Sequence, residues 1–165
     1  MNRLLIAALI TLAACSEPTI SDIYDSDKML TCTYTMPTET DTYDITAHFS
    51  AEKARYDEQR RDEDKDVQDS IIIAGERFYI STRGPSAGPD GEAYQSIGCE
   101  WLVVHGADEL RAQVLTLNTS HTLEDTHEAH RDLNLSCTIA AHDNSRFTPD
   151  SATCTYADLL ARLNP

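Results

Sequence analysis

Leu30-Thr31-Cys32-Thr33-Tyr34-Thr35-Met36 sets a large side chain at every second position and a threonine between each pair. Only an extended strand puts alternate residues on one face, so this run predicts a half-buried strand with Leu30, Cys32, Tyr34 and Met36 turned inward. The same alternation returns downstream. Tyr43, Ile45, Ala47 and Phe49 are separated by Asp44, Thr46 and His48, and residues 37–42 fit the turn between two strands. Residues 53–57 read as a short third strand with Ala54 and Tyr56 inward, and the charged run 57–66 as a solvated loop. Residues 67–73 and 76–82 form a hairpin around Gly75, with Phe78 and Ile80 sharing a face. The Pro/Gly-rich residues 84–91 must be loop.

Further on, residues 96–104 read as a strand with Ile97, Cys99, Trp101 and Val103 on one side. At 107–117 the period changes, and Leu110, Val114 and Leu117 recur at helical spacing. Residues 118–132 are polar and without clear period. Leu133, Leu135, Cys137 and Ile139 then alternate as a late strand, residues 142–151 are loop, 153–156 a last short strand and 157–163 a closing helical turn. The class implied is mainly β (α+β): a single curved antiparallel sheet or half-barrel with one or two short helices.

The start of the chain carries an address. Arg3 precedes an apolar run over residues 4–12, and Leu12-Ala13-Ala14-Cys15 places small residues before a cysteine. That run falls short of the roughly 20 residues of a spanning helix. Its order is a bacterial secretory signal ending in a lipobox. It predicts a signal peptide at 1–14, fatty acylation (palmitate) of Cys15, a flexible tether at 15–28 and an envelope domain at 29–165. The membrane is then a partner through the lipid anchor, which needs more than one chain to be stable. Ser16 after the anchor, rather than Asp, resembles sorting to the outer membrane, facing the periplasm. About 150 residues remain for one domain.

Beyond Cys15 stand Cys32, Cys99, Cys137 and Cys154. An even count in an oxidising compartment implies two disulfides, with three possible connectivities. Cys32 and Cys137 sit on the apolar faces of their strands, Cys99 shares a face with Trp101, and Cys154 with Tyr156. These placements favour Cys32–Cys137 with Cys99–Cys154. No Cys-x-x-Cys occurs, which argues against thioredoxin-like or zinc-ribbon chemistry. With 28 Asp plus Glu against 13 Lys plus Arg, the net charge of −15 excludes nucleic acid as a partner and favours cations or basic groups.

The layout resembles a family of uncharacterised bacterial lipoproteins. The resemblance rests on Leu30-Thr31-Cys32-Thr33-Tyr34, on Ile72-Ile73-Ala74-Gly75-Glu76-Arg77-Phe78-Tyr79, and on Cys137, Asp143, Phe147-Thr148-Pro149 and Tyr156-Ala157-Asp158-Leu159. It departs at Ile139, where the pattern carries an aromatic, and Cys99 and Cys154 are additional. It implies a half-barrel similar to lipoprotein carriers and sensors, with the matching residues acting as scaffold.

Few constellations point to chemistry. His121, Glu124, Asp125, His127, Glu128 and His130 crowd ten residues, and imidazole with carboxylate suits zinc, nickel or copper. The plain reading is a solvated linker; the chemical one makes His121, His127 and His130 weak metal candidates. Asp62, Asp64 and Asp66 imitate a calcium loop, but Val67 and Ile73 stand where an EF-hand needs Gly and Glu. No nucleophile elbow or phosphate loop occurs, and no cofactor or catalytic residue is indicated. Trp101, Tyr34, Tyr56 and Phe78 either line a cavity for an apolar ligand or simply fill the core. The expected role is a non-enzymatic binding or accessory module that meets an envelope protein or an apolar ligand. The alternatives are a carrier of lipid and a metal-handling protein. Cells fed labelled palmitate should label this chain, and Cys15→Ser should abolish both the label and recovery of the protein with membranes.

Overall fold

The alternation at 30–36 becomes β1 (Lys28–Pro37), the second strand of an eight-stranded sheet. The structure is a computed structural model and describes residues 16–39, 41–60, 68–105 and 114–163. The other strands are β2 (Thr42–Ser50), β3 (Lys53–Arg60), β4 (Gln68–Ala74), β5 (Arg77–Ser81), β6 (Trp101–His105), β7 (Ser136–Ala141) and β8 (Thr153–Cys154). Their order is β7-β1-β2-β3-β4-β5-β6-β8, and the sheet is open. The domain is mostly β, as the alternation requires. Four short helices are described: α1 (Ile20–Asp25), α2 (Gly91–Ser96), α3 (Leu123–Ala129) and α4 (Tyr156–Leu163).

Register organises the inner face into transverse rows. One crosses all eight strands: Cys137, Cys32, Ala47, Tyr56, Ile71, Ile80, Leu102 and Cys154. Beside it runs a second, Leu30, Phe49, Ala54, Ile73 and Phe78, and on its other side a third, Tyr34, Ile45, Glu58 and Asp69. Disulfides join Cys32 to Cys137 and Cys99 to Cys154. On the outer face Trp101 packs with Met29, Ile72 and Phe147. A third cluster gathers Tyr94, Cys99 and Leu159 from α2, α4 and the segment between α2 and β6.

Several expectations change. The sheet is antiparallel except at β8, which lies parallel to β6, beside the disulfide of Cys154 with Cys99. The strand expected at 96–104 begins only at Trp101: α2 runs to Ser96, and Gly98 turns the chain with φ +81°. That break puts Cys99 and Trp101 in different clusters rather than on one face. The strand expected to end at 57 runs on to Arg60, because ladder pairing does not need apolar side chains and the Arg60 guanidinium bonds the Asp41 carboxylate. Asp62, Asp64 and Asp66 lie outside the described residues, as do residues 107–113 of the expected helix; residues 114–117 are not helical. The polar stretch 118–132 contains α3, started by a Thr122–Asp125 capping box.

The tether shows the largest change. The sequence predicts a leash over residues 15–28, of which Cys15 itself lies outside the described residues. From Thr19 onward the chain is docked. Thr19 and Asp22 form a capping box for α1, and Ile20 and Ile23 enter the main core. The Ile20 and Ser21 amides donate to the carbonyls of His121 and Thr119. Two isoleucines spaced by three suffice to bury a helix face of one turn and a half. Ile20 has no exposed surface, so Ile20→Ala should lower unfolding free energy by about 2–4 kcal/mol in urea titration, whereas a true leash residue would cost almost nothing.

Candidate functional site

Among the described residues two clefts open on the inner face between the sheet and the segment 114–117, which crosses it as a strap. The larger, about 320 Å³, has Phe49, Ala54 and Ile73 among its walls, with Tyr24 from α1 and Val114, Leu115 and Leu117 from the strap. Ala54 explains the hollow: a methyl group stands in that row between the larger Phe49 and Ile73. The smaller, about 230 Å³, is lined by Tyr34, Met36, Ile45, Tyr56, Glu58, Val114, Leu115 and Leu133. Tyr56 borders both clefts, and so do Val114 and Leu115. The Tyr56 hydroxyl donates to the Leu115 carbonyl, and its ring meets Phe49 edge-on at 5.6 Å. Tyr56 is therefore a pillar that pins the strap above the sheet.

Burial shapes the ionisation of these walls. The Tyr24 phenol is pushed up to about 12, and those of Tyr34 and Tyr56 rise as well, chiefly by desolvation. All three stay neutral at physiological pH. Glu58 rises above the ordinary carboxyl range, first because it is desolvated and then because Asp69 is negative. Asp69 is its register partner across β3 and β4 and cannot withdraw. One Asp69 oxygen accepts from the Ser70 amide at 2.9 Å, the other from the Ser86 amide at 2.8 Å. The carboxylate also fills the space where Gly84 lacks a side chain, so that a Cβ there would collide with it.

Of the aromatic residues expected around a cavity, Tyr34 and Tyr56 line the clefts. Phe78 is fully buried and lines neither. Trp101 is corrected to the outer face, because its register partner Ser81 alternates with Ile80, which points inward. There its indole donates to Asp150 at 3.1 Å, and the Arg55 guanidinium lies 6.0 Å above its ring. His48 is buried on that face within 3.1 Å of the Thr31 hydroxyl, and burial lowers its pKa.

The histidine segment does not converge. Among the described residues no three His, Cys, Asp or Glu side chains are placed to hold a metal ion. His127 turns toward the sheet edge, where its Nε2 accepts the Cys137 amide at 2.9 Å. That bond uses the Nε2 lone pair that a metal would need. His130 closes α3, and the His121 carbonyl holds α1. Glu58 is the site residue that the sequence reading missed. Its place in a charged run hid it; the signal was its spacing of two from Tyr56.

No protein-family model, no curated protein and no solved structure matches this chain.

A carboxyl with a raised pKa holds its proton more tightly folded than unfolded. It weakens the fold as pH climbs past the ordinary 4.5, and the penalty persists at neutral pH. Glu58→Gln should therefore raise the urea midpoint at pH 7, and this gain should vanish below about pH 4.

Proposed function

We propose that the chain is a lipid-anchored binding module of the bacterial envelope that takes a small, mainly apolar ligand into the inner-face clefts. The observation that carries this reading is the strapped trough: largely apolar walls, a tyrosine pillar, and a larger cleft of about 320 Å³, where small-molecule sites begin at roughly 300 Å³. Binding rather than catalysis fits walls in which aliphatic and neutral aromatic groups surround a few charged ones, Glu52 and Lys53 in the larger cleft and Glu58 in the smaller.

The docked α1 supports the anchor's place in this reading. Cys15 lies only four residues before Thr19, and four extended residues reach about 14 Å. A lipidated Cys15 would hold the domain close to the bilayer. Ser21 bonds Thr119, which borders the larger cleft, so that cleft would stand near the point where the acyl chains enter the membrane.

Native mass spectrometry of protein extracted from its own envelope should show a co-purifying apolar molecule. Ala54→Phe, which fills the larger cleft from its floor, should reduce that adduct severalfold. Repeated recovery of the bare polypeptide would sink the proposal.

A further inference from the structure

We infer that the smaller cleft selects a small free amine with an apolar body, its ammonium group held between Glu58 and Tyr34. The inference rests on the binding reading above and names the class of ligand for part of that site. Glu58 and Tyr34 line one cleft whose other walls among the described residues are aliphatic apart from Tyr56. Tyr34 is 6% exposed, and Glu58 is its next neighbour but one along the third row, separated by Ile45. Both line the cleft, and the charge of Glu58 acts on the Tyr34 phenol. Among the described residues neither side chain is tied by a hydrogen bond to another protein group, and neither has a polar atom sealed from solvent. Each remains available to a ligand.

An ammonium group suits this pair better than other chemistries. It brings three donors and no acceptor, which the carboxylate and the phenolic oxygen can both receive. The faces of Tyr34 and Tyr56 attract a cation. Asp69, immobilised behind Glu58, adds a second negative charge and cannot turn away. An anion would meet two carboxylates, and a neutral alcohol would leave the charge of Glu58 uncompensated. At the other end Met36, Ile45, Val114, Leu115 and Leu133 give an apolar chain its wall. The cost of Glu58 to the free protein also fits: a half-buried carboxylate facing a fixed carboxylate weakens the fold until a cation arrives, a pattern expected where stability is given up for binding.

The test titrates octylamine, octanol and octanoate into the full chain held in a non-ionic detergent, followed by calorimetry against the detergent alone. Octylamine should bind saturably and about tenfold more tightly than octanol, the order of one charge-assisted hydrogen bond. Octanoate should bind least. Glu58→Gln, which is expected to fold at least as well, should erase the preference for the amine, while Glu124→Gln on exposed α3 should leave it intact. An equal loss in both variants would mean attraction to the net charge and would overturn the inference. Equal binding of octanol and octylamine would overturn it while leaving the apolar clefts as binding sites. If no probe binds, both readings fail. Displacement of octylamine by phosphatidylethanolamine in the same detergent would replace the free amine with a lipid headgroup and overturn the choice made here.

Discussion

The inner-face row that runs from Cys137 through Cys32, Ala47, Tyr56, Ile71, Ile80 and Leu102 to Cys154 is the constraint on which the architecture depends. A one-residue slip in any ladder would turn that strand's apolar set to the wrong face, and register is strongly specified wherever one face is buried. Here the row ends in a cysteine on each side. The Cys32–Cys137 bridge fixes the register of an edge strand that comes more than a hundred residues after its neighbour. The Cys99–Cys154 bridge does the same for a strand of two residues, too short to hold its place by ladder bonds alone. The two bridges span 105 and 55 residues, close to a doubling, which is worth only about 0.6 kcal/mol of loop-closure entropy. Where each bridge sits matters more than the loop it closes.

From that row the clefts follow with little further assumption. Tyr56 stands near its middle and is the one residue there with both a long aromatic body and a donor at its tip. Its hydroxyl reaches the Leu115 carbonyl and so holds a strap of non-helical backbone over the sheet. A backbone carbonyl buried against an apolar sheet needs such a partner. The rows on either side then decide what the space beneath the strap is like. Ala54 leaves one side hollow and apolar, and Glu58 makes the other side charged. Side-chain size and charge at two positions, spaced two residues either way from one tyrosine, separate the two clefts.

Much of this was legible in the sequence, and the failures have physical causes. Period-two alternation located β1, β2, β4, β5 and the core of β7, because one buried face leaves an apolar imprint. It underestimated β3, where Gln59 and Arg60 hold ladder positions without burial. It misplaced β6, since Ile97 and Cys99 kept the apparent alternation going across a helix end and a positive-φ glycine. The helices were harder. Three begin with the same device, Thr19-x-x-Asp22, Thr122-x-x-Asp125 and Thr155-x-x-Asp158, each a reciprocal pair of side-chain-to-amide bonds. Each aspartate is held below the usual carboxylate range mainly by its bonds to threonine. In a chain with 28 acidic residues the signal was hidden among many aspartates. The clefts were invisible for a different reason. An alanine in a strand reads as an ordinary inward residue, and nothing local says that a strap will cross above it.

The composition bears on the site in one more way. A surface this acidic raises the local concentration of every cation, so charge alone cannot make Glu58 selective. Desolvation can. An exposed carboxylate is already solvated and gains little from an arriving ammonium, since pairs at the surface contribute at most about 1 kcal/mol. Glu58 has lost part of its water to Tyr34, Ile45 and the strap, and faces a carboxylate that two amides hold in place. A cation entering there replaces solvation that the fold has removed, and its apolar end meets walls that no hydrated metal ion can use. The many acids outside draw cations in, and the one acid within the apolar cleft discriminates among them by what each cation carries behind its charge.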